Sequence, residues 1–220
     1  MQTIPRNLSM NPYESADRQL QKILKWQKSQ FNRHRLRNFL SFDEVNVLRL
    51  KRQSQALYKR LDKRNRAFLL QIAVEAYETA CEEISAALMD PPNEAWLLAI
   101  LEVSDPVTEY IYTEEVPRKR ARFYETLLAL IAMRRTTTET EKTYKRARDL
   151  WGRQTEQYEI NVVDMARRKA FEDNGISQFI WNTQEDENVC SVCRPRDGVI
   201  YAAGNIPTRH YLCRCWLTPI

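Results

Sequence analysis

Glycine is scarce in this chain: Gly152, Gly175, Gly198 and Gly204 are the only four among 220 residues. Neither a G-x-x-x-x-G-K-[ST] loop nor a G-x-G-x-x-G turn can be built from them, which excludes nucleotide enzymes of those two classes. Long apolar runs are missing as well. The most apolar stretches, AWLLAIL and LLALIAM, fall far short of the roughly 20 residues that cross a bilayer. The opening MQTIPRNLSM has no basic segment leading into an apolar run. The expectation is therefore a chain made and kept in the cytoplasm, with no membrane partner. Histidine occurs twice and cysteine five times, and no base, nucleophile and orienting group form a recognisable catalytic set. No enzyme is expected.

What is present is enough for a real core: 43% of the residues are hydrophobic and 10% aromatic. The net charge of +5 is unevenly spread. Residues 1–70 carry 16 Lys and Arg against 5 Asp and Glu, residues 71–170 carry 14 against 18, and residues 171–220 carry 4 against 6. The basicity belongs to the N-terminal third.

Helical periodicity dominates the chain to Gly175. Residues 12–39 read as a basic helix after Pro12. Ser41-Phe42-Asp43-Glu44 has the form of a capping box, which predicts a helix start. Leu50, Leu57, Leu61, Phe68, Ile72, Ala76, Ala80, Ile84 and Leu88 then recur at helical steps, with no Pro or Gly before Pro91. Unbroken, that helix would be roughly 70 Å long. Asn93 can cap a short helix over EAWLLAILEV, and Asp105-Pro106 interrupts again. From Pro117 a further helical stretch runs to Asn174-Gly175, a helix-ending dipeptide, with Thr136-Thr137-Thr138 and Gly152 as candidate breaks.

From Gly175 the pattern turns to short β runs: ISQFIWNT, GVIYAA after the Asp197-Gly198 turn, and CRCWLTP. The fold class expected is α+β, with an elongated, mainly helical region over 1–174 and a small mixed domain over 175–220. So short a tail seldom buries enough apolar surface to hold itself together, and a metal is a common remedy. It holds Cys190-x2-Cys193 and, sixteen residues on, His210-x2-Cys213-x-Cys215. Reduced thiols at such spacing suit a tetrahedral zinc ion. Five candidates compete for four positions, and the four cysteines rank ahead of a set that includes His210. The rival readings are a dithiol redox pair, which lacks a surrounding βαβ pattern, and thiols that are simply small buried hydrophobes. A closed site with four protein ligands would be structural. Cys81 reads as a core position, His34 as part of a solvated basic face, and Asp186 and Glu187 as a solvated acidic loop.

Taken together, WNTQEDENVCSVCRPRDGVIYAAGNIPTRHYLCRCWLTP resembles the C-terminal signature of the phage Mu F-like head-morphogenesis family, minor head proteins of tailed bacteriophages. The matching positions are Trp181, Thr183, Asp186, Cys190, Cys193, Gly198, Pro207, His210, Cys213, Arg214, Cys215 and Pro219. They cover about the last forty residues. Tyr211 departs from the pattern, in which Pro often follows the His. The resemblance implies a structural virion protein in the head interior near the portal, present in few copies. It also implies partners in the portal, capsid and scaffold proteins, and contact with packaged double-stranded DNA. On this reading Arg214 is held for a partner carboxylate or backbone carbonyl.

The basic third then has two expected uses. Arg33, Arg35, Arg37, Lys59, Arg60, Lys63 and Arg64, with Trp26, Phe31, Phe39 and Tyr58 among them, could neutralise DNA phosphates or dock on an acidic portal surface. The plainer reading is a solvated face whose aromatics pack inward. A zinc-finger nucleic-acid-binding protein outside any virion is the main alternative function.

Overall fold

Among the described residues, asparagine side chains start three of the five helices. The structure, a computed structural model, describes residues 11–39, 45–102, 116–133, 137–184 and 189–220. Helix α1 spans Tyr13–Asn38, and Asn11 Oδ1 accepts the Tyr13 N–H at 3.0 Å. Helix α2 spans Val47–Glu83, with Asn46 Oδ1 accepting the Arg49 N–H at 2.9 Å. Helix α3 spans Glu94–Glu102, where Asn93 Oδ1 accepts from Trp96 N–H at 3.0 Å. Each bond satisfies one of the donors that a first helical turn leaves without a partner. The expected capping box at Ser41–Glu44 and the break at Asp105-Pro106 lie outside the described residues.

Helix α2 ends earlier than its apolar repeat suggests. Ser85 takes a left-handed φ of 54°. Its N–H bonds to the Glu82 carbonyl at 3.0 Å and the Ala86 N–H to the Cys81 carbonyl at 2.9 Å, a Schellman stop formed without glycine. A tertiary tie explains why the chain turns here and not at Pro91. Tyr77 Oη accepts the Asp90 N–H at 3.2 Å and donates to Asp173 at 2.8 Å, while Lys169 Nζ holds Asp90 at 3.0 Å. Leu88, counted on the expected helix face, is 56% exposed.

Helices α4 (Val116–Ala132) and α5 (Thr137–Asp173) replace the single stretch expected after Pro117, divided beside the threonine run. Gly152 does not break α5. A Cβ there would sit 3.4 Å from Leu24 Cδ2, so glycine lets α1 pack close against the helix. At the far end Gly175, at φ +78°, completes a second Schellman motif: its N–H meets the Glu172 carbonyl at 3.0 Å and the Ile176 N–H meets the Phe171 carbonyl at 3.0 Å. Three short strands follow, β1 (Gln178–Asn182), β2 (Ile200–Ala202) and β3 (Trp216–Pro219), in the antiparallel order β2-β1-β3. Ile180 stands opposite both Ile200 and Thr218. The mainly helical chain with a small terminal sheet is an α+β fold.

Two compact units share the long helices. One gathers the chain up to Gln19, Leu69–Leu97 and Glu159–Ile220; the other gathers Leu20–Phe68 and Leu98–Tyr158. The tail from Gly175 thus packs with helical segments of the first unit and is not a separate unit beginning at the strand region. Phe179 and Trp181 point into that core from alternate positions of β1, with the Phe179 ring 6.0 Å from Phe171.

The second unit is built on aromatic edges: Phe31, Tyr58, Tyr144 and Trp151 pack perpendicular to their neighbours at centroid distances of 5.1–6.2 Å. His34 belongs to this core and not to a solvated face, being 3% exposed. Its Nδ1 lies 2.6 Å from Tyr144 Oη and its Nε2 3.3 Å from Ser54 Oγ. Gln27, Asn65 and Thr155 close a second buried triangle of hydrogen bonds at 2.8–2.9 Å.

Two outcomes test these assignments. Gly175→Ala should cost about 1–2 kcal/mol in urea unfolding, because a side chain resists the left-handed region. Gly204→Ala, at ordinary φ and with open space around it, should stay within about 0.5 kcal/mol; equal effects would refute the Schellman assignment. Burial, aided by the positive charges of Arg60 and Arg37, lowers the His34 imidazole from 6.5 to about 4. The unfolded chain therefore takes up this proton at higher pH than the folded one. The stability contribution is complete above about pH 6.5 and is lost as pH falls toward 4, an effect on the order of 3 kcal/mol. Stability curves of the wild type and His34→Gln at pH 7 and 4.5 check it: the substitution should flatten the slope.

Candidate metal centre

Turns, not strands, carry the sulfur atoms. Cys190 opens a tight turn in which its carbonyl accepts the Cys193 N–H at 3.1 Å and the Arg194 N–H at 3.0 Å, and its Sγ accepts the Cys193 N–H at 3.3 Å. A backbone donor aimed at sulfur favours the thiolate, the form that binds metal. A 3₁₀ turn over Arg194–Arg196 and the β1–β2 hairpin then reverse the chain. The hairpin is locked by Asp197, whose Oδ1 accepts both the N–H and the hydroxyl of Thr183 at 2.8 and 3.0 Å, and by Gly198 at φ +71°. His210 begins the second turn, closed by the Cys213 N–H on the His210 carbonyl at 3.2 Å, with Leu212 at a left-handed φ of 55°.

The five sequence-predicted ligands gather in two groups that share Cys193. Their donor atoms form two triads, Cys190–Cys193–His210 and Cys193–Cys213–Cys215, in each of which every pair lies within 4.8 Å. His210 Nε2 is 3.0 Å from Cys190 Sγ and 3.2 Å from Cys193 Sγ, and Cys193 and Cys213 sulfurs are 3.7 Å apart. Bonds of about 2.3 Å at tetrahedral angles place two thiolates about 3.8 Å apart, so the cluster could hold a metal ion. A cleft of about 180 Å³ beside the cluster is lined by Cys190, Cys193, His210, Leu212, Arg214 and Cys215, among others.

The thiols differ in their readiness to ionise. Burial pushes Cys193 up to about 12. The Cys213 and Cys215 sulfurs share a hydrogen bond that pulls Cys213 below its ordinary value and raises Cys215. The Arg209 guanidinium and His210 add to the lowering at Cys213. A metal entering the cluster must displace the remaining protons, so its affinity falls with acidity.

A buried clamp, not visible in the sequence pattern, ties the second turn to the helices. Arg209 donates to the Cys215 carbonyl and to the Asp164 carboxylate on α5, and lies 5.1 Å above the ring of Trp181. Tyr13 Oη, at the start of α1, donates to the same Cys215 carbonyl at 3.1 Å. Arg214 forks both oxygens of Asp17 at 2.7 and 2.8 Å and stacks over the Tyr13 ring at 5.8 Å. The carboxylate expected for Arg214 in a partner is thus met within the chain. Asp164 left one trace in the sequence, a lone acid inside INVVDMA, but Tyr13 and Asp17 stand about 200 residues away with no local signal.

Neither a protein-family model nor a curated protein nor a solved structure matches this chain.

The basic candidates fall in the second unit. Arg33, Arg37, Lys59, Arg60, Lys63 and Arg64 are exposed on α1 and α2, whereas Arg35 is half-buried in an ion pair with Glu141 at 2.6 Å. Phe31, Phe39 and Tyr58 are buried and Trp26 packs against them, so these aromatics turn inward and offer no stacking platform among the cations. Asp186 and Glu187 lie outside the described residues.

The clamp makes a graded prediction. Arg209→Ala or Asp164→Ala leaves a buried charge without its partner and should cost about 3–5 kcal/mol in chemical unfolding. Arg214→Ala breaks a half-exposed pair and should cost about 1 kcal/mol or less. The reverse ranking would move the anchor to Arg214.

Proposed function

We propose that the chain is a structural minor head protein of a tailed bacteriophage. In this reading it acts in head assembly at the portal and capsid interior, with a zinc ion holding its C-terminal knot. The supporting observation is that several residues of the head-morphogenesis pattern take part in one local structure. Trp181 carries Arg209 and Arg196 on its ring at 5.1 and 5.3 Å. Thr183 fixes the Asp197-Gly198 turn, and the Cys and His residues converge. Thiolates and an imidazole gathered at metal-binding spacing suit zinc over harder cations. Four protein ligands leave no open coordination position for a water nucleophile, so the role is structural and not catalytic.

The protein would reside in the virion head near the portal and, during assembly, in the host cytoplasm. Portal, capsid and scaffold proteins are its partners. Exposed Arg33, Arg37, Lys59, Arg60, Lys63 and Arg64 give α1 and α2 a face for an acidic portal surface or for the phosphates of packaged DNA.

Co-expression with the portal protein encoded beside it, followed by sedimentation at two salt concentrations with and without nuclease, tests this. Co-sedimentation that survives nuclease is the expected result. Binding to DNA alone, lost at higher salt, would replace the proposal with a zinc-finger nucleic-acid-binding protein. Charge reversal of Lys59, Arg60, Lys63 and Arg64 should weaken whichever anionic partner is found, and unchanged affinity would leave that face a solvated surface only.

A further inference from the structure

Within the second unit, α1 and α5 leave between them a cleft of about 310 Å³. Asn32 and Arg35 line it from α1, and Glu141, Lys142, Lys145 and Arg148 line it from α5. Its charge is one-sided: the lining holds four cations, and two carboxylates oppose them, Glu141 in the lining and Asp149 beside Arg148. The aromatic residue of the lining, Tyr144, is buried with its hydroxyl 2.6 Å from His34 Nδ1, so the cleft presents charge and no stacking face. A concave surface lined by one sign of charge concentrates the field and draws in the opposite charge.

The cations are of two kinds. Arg35 donates to Glu141 at 2.6 Å and Arg148 to Asp149 at 2.7 and 2.9 Å, so both guanidinium groups are held in place with donors to spare. Lys142 and Lys145 are exposed, and among the described residues neither has an ion-pair partner. Lys142, Lys145 and Arg148 follow one another at three-residue steps on α5, a row of about 9 Å along the helix. Like charges at this spacing repel and weaken a helix. The row therefore works against the fold that carries it, and a chain of anionic groups laid along the cleft would remove the repulsion.

We propose that the cleft between α1 and α5 binds a row of linked phosphate groups, with Lys142 and Lys145 as its charge contacts and Arg35 and Arg148 as preset donors on either wall. The length of the row favours linked phosphates over a single one, and the lack of a stacking face makes recognition independent of any base. A free polyphosphate and the backbone of a nucleic-acid strand both present this chemistry. Lys142 and Lys145 belong neither to the metal centre nor to the basic face of α1 and α2, and the inference does not depend on the head-assembly reading.

The test titrates inorganic tripolyphosphate into the full chain by calorimetry. The wild type should bind, less tightly as salt rises, and the Lys142→Ala/Lys145→Ala double variant should lose about tenfold or more in affinity. Lys59→Ala/Lys63→Ala, on the α2 face, should lose less than about threefold. In the wild type, tripolyphosphate should shield Lys142 and Lys145 from acetylation, read by mass spectrometry, and leave Lys59 and Lys63 reactive. The Lys142→Ala/Lys145→Ala variant should also unfold in urea at no lower a midpoint than the wild type; a clear loss of stability would assign the two lysines to the fold and contradict the proposal. No binding by the wild type, or equal losses in the two double variants, would overturn it. A thymidine 20-mer then separates the sources: binding that falls in parallel in Lys142→Ala/Lys145→Ala brings a nucleic-acid backbone to the cleft, and unchanged binding leaves a free polyphosphate as its ligand.

Discussion

The buried guanidinium of Arg209 is the constraint on which the C-terminal knot depends. It meets the Asp164 carboxylate, the Cys215 carbonyl and the face of Trp181 at once, joining α5, the metal turn and the central strand through one planar group. A largely buried cation of this kind is tolerated because its charge is matched by Asp164 and its donors find acceptors. Lysine, with a single point charge, could not make the same contacts. The cluster's sulfurs are then placed by backbone turns whose ends are already fixed.

This arrangement explains how so small a sheet persists. Three strands of three to five residues bury one face through Phe179, Trp181 and Leu217, less than an isolated sheet needs. The tail compensates by leaning on helical segments of its own unit through Tyr13, Asp17 and Asp164, and by gathering its thiols where a metal can cross-link the two turns. A metal bound there would act on loop entropy, whereas the clamp acts on the position of the result.

The sequence disclosed local features well and distant ones poorly. Asn174-Gly175 ended α5, and Asn93 capped α3, because those signals act within one turn. The three strand runs were legible for the same reason, and the metal candidates because close spacing marks each of the two turns that carry them. The end of α2 was not, because Ser85 adopts a conformation that glycine usually marks, under a tie between Tyr77 and Asp90 that has no pattern in the chain. His34 looked solvated among arginines, yet α1 turns that one position inward onto Tyr144 and Ser54. Arg214 was read as awaiting an external carboxylate because Asp17, its partner, stands near the other end of the chain.

The account's central claim is that a metal-held turn and the Arg209 clamp act together to fix the tail on the first unit. Native-state hydrogen exchange, recorded on the metal-loaded chain and again after chelation, tests it most directly. The account predicts that amides of β1, β3 and residues 210–217, together with the start of α1 around Tyr13–Asp17, lose protection on chelation, while the helical amides around His34 and Tyr58 keep theirs. Unchanged protection over the tail after complete metal removal would contradict it.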